Sequence, residues 1–376
     1  MTSQAEEQAA RLLTRTRLVD GHNDLPFVIW QDRTSRGDVR RWDLRADHKD
    51  HDTDIPKLIA GQVATQIFTA FIPTSQNDPL KARLEVIDVM LQLEQAYPDV
   101  FEPVLAPSDI RRAQRMGKIG LFKAVEGLVG VASVAHLRLF HAMGIRLITL
   151  CHNERLPFVD SATDQPGPEP LTEFGREIVA EMERLGLIID LAHVSAEAQH
   201  KVLDVATGPV LISHANARAL CPHPRNAPDD VMRRIADGGG IVMATFVPTF
   251  MAPLVFETLK PAMDAFGKSA PSMDRASFQT LKRAAFEHFK ARDGIQYMAD
   301  HLDYMRNLIG PEAIGIGSDF YGGPNPPGLD DASTFPRLFA ELIRRKWKTR
   351  DLERLAGGNF ERVWQAVHRA APILSD

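Results

Sequence analysis

The run Leu187-Ile-Ile-Asp-Leu-Ala-His-Val-Ser195, followed by Ala196 to Ala206 and then Gly208-Pro-Val-Leu-Ile-Ser-His-Ala-Asn216, decides the fold. Two short apolar, β-branched runs flank a segment with apolar residues at three-to-four spacing. Each run passes directly into a histidine. This is the pattern of strand, helix, parallel strand, with polar chemistry where each strand ends. Working outward in both directions gives eight such runs: Leu18-Asp20, Ala64-Phe71, Gly120-Val125, Arg146-Leu150, Leu187-Leu191, Pro209-Ile212, Gly240-Phe246 and Ala313-Gly317. Helical periodicity fills Pro79-Tyr97, Val134-Met143, Thr172-Leu185, Ala196-Ala206 and Pro228-Asp237 between them. Eight strand-helix units predict a closed (β/α)8 TIM barrel of the α/β class.

At 376 residues the chain is long for one domain, yet barrels of this length form single domains. We expect one domain over 1–376. Pro248 to Asp293 reads as an insertion after the seventh strand, helical over Phe278 to Ala291, able to cover the barrel mouth. Gln31 to Ile55 is charged and reads as a surface loop. No repeat or low-complexity tract interrupts the chain.

Composition narrows the function. Forty-four basic residues against forty-nine acidic ones leave a net charge of -5, and no basic stripe offers itself to a phosphate backbone, so nucleic acid is set aside. No apolar run reaches the length of a membrane span, and neither end has a signal-peptide core or a lipid-anchor tail. Two cysteines, Cys151 and Cys221, are too few for a disulfide framework, which points to a reduced, cytoplasmic protein without a membrane anchor.

The strand ends carry the chemistry, because active sites of such barrels form at the C-terminal face. The first strand runs into Asp20-Gly-His-Asn-Asp24, the third into Glu126, the fourth into Cys151-His152-Asn153, the fifth into His193, the sixth into His214 and the eighth into Asp319. The second and seventh contribute no such group. Imidazoles and carboxylates suit zinc, and His22 and Asp24, two apart, point the same way from an extended strand end. Taken singly, each group has a bland reading: an Asx turn or cap for His22 and Asp24, an ion pair for Glu126, a buried ring for His193 and His214, a turn for Asp319. Ser195 and Asn216 read as caps of following helices. Six of eight strand ends bearing such a group outweighs those separate readings. Both cysteines read as small buried apolar residues. No G-x-S-x-G elbow, G-x-G-x-x-G or P-loop occurs, so neither a serine nucleophile nor a nucleotide cofactor is indicated.

With these residues in place the chain resembles the membrane dipeptidase (renal dipeptidase) group, peptidase family M19, over nearly its whole length. The resemblance is carried by Asp-Gly-His-Asn-Asp-Leu-Pro (20–26), Val-Glu-Gly (125–127), Leu-Ala-His-Val-Ser (191–195) and Ile-Ser-His-Ala-Asn-Ala-Arg (212–218). His-Pro-Arg-Asn (223–226), Gly-Ile-Gly-Ser-Asp-Phe (315–320) and Gly-Gly-Asn-Phe-Glu-Arg-Val (357–363) extend it. It implies two Zn2+ ions, one held by His22 and Asp24, the other by His193 and His214, with Glu126 bridging. It further implies a hydroxide between the ions that attacks the peptide bond of a dipeptide, tolerance of a D-residue at the C-terminal position, and a homodimer. By the same resemblance Arg225 pairs with the substrate carboxylate, His152 meets the scissile carbonyl or its oxyanion, and Asp319 is an acid/base group contacting substrate. One departure stands out: Tyr321-Gly322 occurs where the family commonly has Asp-Gly, which puts a rim contact in question. Two other readings compete. A deaminase or cyclic-amide hydrolase of the amidohydrolase group usually opens with His-x-His, not His22-x-Asp24, and often uses a bridging lysine that no strand end here supplies. A catalytically silent barrel acting as a binding protein would tolerate a missing ligand, and none is missing.

Overall fold

Apolar runs buried on both faces form parallel strands, and all eight expected ones appear in the computed structural model, which describes residues 3–266 and 283–372. They are β1 (Leu18–Asp20), β2 (Val63–Phe71), β4 (Ile119–Glu126), β5 (Ile145–Thr149), β6 (Ile188–Asp190), β7 (Leu211–Ile212), β8 (Ile241–Ala244) and β9 (Ile314–Ile316). A ninth, β3 (Phe101–Pro103), pairs only with β4 and stands outside the barrel order. Nothing in the sequence announces it: three residues ending in proline carry no alternation to read.

The order β1-β2-β4-β5-β6-β7-β8-β9 follows the chain, and the ends meet. Gly21 N donates to Ile316 O at 3.0 Å, and Asn23 bridges to Phe320 in parallel. Gly317, just past β9, faces Ser213, just past β7: a Cβ there would lie 1.8 Å from Ser213 O, so only glycine permits this approach.

Inside the barrel, Val19, Ile67, Phe122, Leu147, Ile188, Leu211, Ile241 and Met243 pack as one core with Phe360 and Trp364 of the C-terminal helix Asn359–Ala370. Trp364 stacks edge-on against Phe122 at 4.9 Å. Phe122 sits four residues before the end of β4, roughly 13 Å down the strand, so this helix plugs the face opposite the strand ends. Truncating such a side chain to alanine costs about 3–5 kcal/mol. A larger core, including Phe68, Val125, Ile148 and Ile189, binds the sheet to the outer helices.

Two segments differ from expectation. The stretch from Gln31 to Ile55 is not a plain surface loop: it holds the short helix Val39–Trp42 and buries Val39, Leu44, Thr53 and Asp54. Most of its charged residues, such as Arg40, Arg41 and Asp50, are exposed and mask those anchors in the sequence. The insertion begins with the helices Pro248–Met251 and Pro253–Phe266, and Ala252, Val255, Leu259, Ala285 and Phe289 build a small core of their own. Of the expected helix over Phe278 to Ala291, residues 278–282 lie outside the described residues; Glu287–Phe289 form a 3-10 turn. Among the described residues, no helix is long and apolar enough to cross a membrane.

Candidate metal centre

The strand ends bring His22, Asp24, Glu126, His193, His214 and Asp319 together at one point on the barrel face, all buried. His22 Nε2 lies 3.5 Å from Asp24 Oδ2, 3.6 Å from Glu126 Oε2 and 3.9 Å from Asp319 Oδ1. On the other side of the same carboxylate, Glu126 Oε1 lies 2.8 Å from His193 Nε2 and 3.4 Å from His214 Nε2. Glu126, the last residue of β4, thus has one oxygen on each half of the cluster.

Local structure explains how these groups come free. Asp24 occupies the N-cap position of the helix Leu25–Gln31, yet its side chain makes no capping bond: Pro26, the second helical residue, has no N–H to give, and Leu25 N donates to Asn23 Oδ1 at 3.0 Å. The bland capping reading of Asp24 therefore does not describe it. His193 and Asp319 both adopt left-handed backbone, with φ of 67° and 63°, which turns each side chain inward where the strand stops. For residues with side chains such a conformation costs about 1 kcal/mol or more and concentrates at functional sites. Gly322 preserves room for Asp319, since a Cβ there would come within 2.1 Å of Asp319 Oδ1.

The residues present fit divalent metal. His22 Nε2 and Asp24 Oδ1 are buried without a hydrogen-bond partner, a costly condition that a cation between them removes. His193 Nδ1 meets Asn153 Oδ1 at 3.1 Å and His214 Nδ1 meets Ser213 Oγ at 2.7 Å, which turns both Nε2 atoms inward, 3.0 Å apart. Nitrogen and oxygen donors converging in this way suit zinc and its neighbours.

Electrostatics report the same crowding. Burial pushes the Asp319 carboxyl up to about 8, with Asp24 and Glu126 adding to the shift and His22 and Arg225 opposing it. Burial disfavours the charged form of Glu126 too, but His22, His152 and His193 outweigh it and hold that carboxyl well below its usual range. His22 is raised well above its ordinary value, against burial, by Glu126 and Asp24. Burial, with Arg225 beside it, holds the His193 ring well below. One ring shared among three carboxylates is an arrangement that bound cations take over.

Arg225 stands next to the cluster, 4% exposed, with Nη2 reaching His214 O at 3.5 Å and Nε without a partner. Among the described residues no carboxylate lies within ion-pair distance of it. Its guanidinium sits over the Phe250 ring at 5.4 Å, so the start of the insertion forms part of its wall. His152 lies between Phe71 and His193, with ring centroids at 4.4 and 4.2 Å. Phe71 is the end of the second strand, which the sequence credited with no group.

Three supporting residues escaped the sequence reading. Asp190, ending β6, accepts from Ala192 N and Ser213 N through Oδ1 and from Thr149 Oγ1 and Ser213 Oγ through Oδ2. Asp20, ending β1, clasps Ser318 likewise, from its backbone N and its hydroxyl, both at 2.7 Å. Arg83, fully buried, donates to the carbonyls of Ala70, Glu126 and Val129 behind the Glu126 carboxylate. A carboxylate inside an apolar run is the only signal for the first two, and helical spacing gives none for Arg83. Of the expected caps, Ser195 does accept from Ala198 N at 3.2 Å. Asn216 does not cap a helix; it pairs with the backbone N and O of Thr245, tying β7 to β8.

The family model of the membrane dipeptidases, peptidase family M19, matches residues 6–375. The chain belongs to that family. A relative, Dipeptidase aclJ of Aspergillus oryzae, is 32% identical over 387 residues, covering 97% of this chain and 82% of the relative. In fold, the chain is similar to the crystal structure of the probable dipeptidase PvdM from Pseudomonas aeruginosa, with a TM-score of 0.82 at 22% identity, covering 98% and 99% of the two chains. A metallopeptidase from Rhodobacter sphaeroides, solved with a phosphinate mimic of the dipeptide L-Ala-D-Ala, matches with a TM-score of 0.75 at 20% identity over 94% and 99%. This M19 chain is therefore a dipeptidase-family barrel with metallohydrolase neighbours.

Proposed function

We propose that this chain hydrolyses the peptide bond of dipeptides with two zinc ions, one held by His22 and Asp24, one by His193 and His214, and Glu126 shared between them. The observation that carries this reading is that a metal-ligand set converges on buried atoms without a hydrogen-bond partner, His22 Nε2 and Asp24 Oδ1 at the centre, with Arg225 Nε unpartnered beside it. When bound, the ions supply Lewis acidity, acidifying a water and drawing electron density from the scissile carbonyl.

The remaining work belongs to the chain. Arg225, buried and without an ion-pair partner among the described residues, receives the free carboxylate of the residue after the scissile bond in its guanidinium fork. Requiring that carboxylate next to the reacting bond restricts cleavage to the C-terminal peptide bond, which in a dipeptide is the single bond present. His152 donates a hydrogen bond to the carbonyl oxygen as negative charge grows on it. Asp319 takes the proton of the attacking water on its carboxylate and delivers it to the leaving amine. The L-Ala-D-Ala mimic bound by the Rhodobacter sphaeroides metallopeptidase supports acceptance of a D-residue at the C-terminal position. Both cysteines are buried and unpaired, which supports a reducing, cytoplasmic setting. The family resemblance supports a homodimer, which sedimentation would test.

The test is hydrolysis of L-Ala-D-Ala, Gly-D-Ala and all-L partners by chelator-stripped and zinc-restored protein. Zinc-dependent cleavage of the D-terminal members is expected. Failure to cleave any member under either condition would overturn the reading.

A further inference from the structure

We propose that Asp190 and Ser213 are positioning residues that fix the tautomer of His214, through a relay from His214 Nδ1–H to Ser213 Oγ–H to Asp190 Oδ2. Its consequence for catalysis rests on the metal-centre reading above; its hydrogen-bond logic does not.

The relay follows from donor counting. Asp190 is fully buried, and four donors face its two oxygens. Burial raises the Asp190 carboxyl, while the two backbone N–H groups and two hydroxyls directed at it all favour its ionised form; that form has no hydrogen to give, so the single hydrogen of the Ser213 hydroxyl, 2.6 Å from Oδ2, goes to Asp190. His214 Nδ1, 2.7 Å from the same Oγ, then faces an oxygen lone pair and must carry the hydrogen itself. Nε2 is left as an acceptor, aimed at the point shared with Glu126 Oε1 and His193 Nε2. Outer partners of this kind set which ring nitrogen is free to bind metal.

Substitution by asparagine reverses the relay rather than merely weakening it. The backbone N–H groups of Ala192 and Ser213, both directed at Oδ1, can only donate, so the amide oxygen of an Asp190→Asn variant must sit there. Its NH2 group then occupies the Oδ2 position, facing two hydroxyls that can accept, those of Thr149 and Ser213. Ser213 accepts, its hydrogen swings to His214 Nδ1, and the ring proton moves to Nε2, blocking the atom that faces the centre. The clasp between Asp20 and Ser318 has the same plan, but the Ser318 hydroxyl reaches Asp20 and the His22 carbonyl instead of an imidazole, so it sets no tautomer.

The experiment is long-range 15N-1H NMR of the histidine rings in the metal-free full-length protein at neutral pH, paired with zinc competition against a fluorescent chelator. Wild type is expected to show His214 with its hydrogen on Nδ1. Asp190→Asn should show it on Nε2 and lose about 10–100-fold in zinc affinity. Adding Ser213→Ala to Asp190→Asn removes the misdirected hydroxyl and should recover zinc affinity relative to Asp190→Asn alone, which a simple loss of charge or packing would not allow. Thr149→Val, which removes a donor from the same carboxylate oxygen without touching Ser213, should keep the Nδ1–H form. Should Asp190→Asn not fold, Ser213→Ala carries the test, and His214 there should no longer hold the Nδ1–H form exclusively. An Asp190→Asn protein that keeps Nδ1–H, or a double variant no better than the single one, overturns the relay. Wild type that shows Nδ1–H but binds no zinc would instead overturn the metal reading and leave the relay standing.

Discussion

The two halves of the centre are built differently. His193 and His214 are held from behind, by Asn153 and by Ser213, and each presents one nitrogen inward. Opposite them, His22 Nε2 and Asp24 Oδ1 are buried with no partner, beside an Asp319 carboxyl pushed up to about 8 by burial. The first half is organised by the protein alone. The second leaves two buried groups unsatisfied, as a cation site would. Preorganisation of the first half lies in hydrogen bonds from neighbouring residues, whereas the second half has no such partners for His22 Nε2 and Asp24 Oδ1.

Glu126 joins the halves, so removing it is the largest perturbation. Glu126→Ala should lower dipeptide hydrolysis by a thousandfold or more, about 4 kcal/mol of barrier, and reduce bound zinc measured by elemental analysis. A variant that kept a tenth of the wild-type rate would show that the halves work separately. Asp24→Asn sharpens the contrast: it should release zinc from the unsatisfied half while the His193 and His214 half stays loaded, giving about half the wild-type metal content and a slope change in a chelator titration. Equal loss from both halves would break the distinction. Arg225→Lys keeps a charge but loses the fork; kcat/KM should fall by about 10–100-fold, mostly through KM, as expected for one charged hydrogen-bonded contact. A fall confined to kcat would move Arg225 from carboxylate binding to the reacting bond. Smallest is Tyr321→Phe. The Tyr321 hydroxyl accepts from Thr53 N at 3.0 Å and donates to Thr53 O at 3.3 Å, holding the stretch from Gln31 to Ile55 to the loop after β9. Its loss should cost about 1 kcal/mol and lower Tm by a few degrees in a thermal melt, with hydrolysis nearly unchanged. A large loss of hydrolysis would instead put Tyr321 in contact with substrate.

The barrel was legible because its strands are buried on both faces and its ligands sit where those strands stop. Leu187–Leu191 and Pro209–Ile212 announce β6 and β7 although only three and two residues of them form the paired strands, since the apolar run extends beyond the ladder hydrogen bonds. The supporting layer was not legible. Sequence spacing places Ser213 next to His214 but cannot say that Asp190, 23 positions earlier, claims its hydroxyl. Nor does it reveal that Asp24 sits at a helix N-cap without capping it, or that His193 and Asp319 turn through left-handed backbone. The stretch from Gln31 to Ile55 misled for a related reason: Val39, Leu44 and Thr53 are anchors in a charged sequence, and isolated anchors have no period.

The central claim, that a pair of metal ions bound by these residues drives dipeptide hydrolysis, is tested most directly by titrating zinc into metal-free protein while following L-Ala-D-Ala cleavage. Hydrolysis should be absent at the start and reach its full rate only as a second equivalent of zinc is bound. A full rate in metal-free protein, or at the first equivalent, would contradict it.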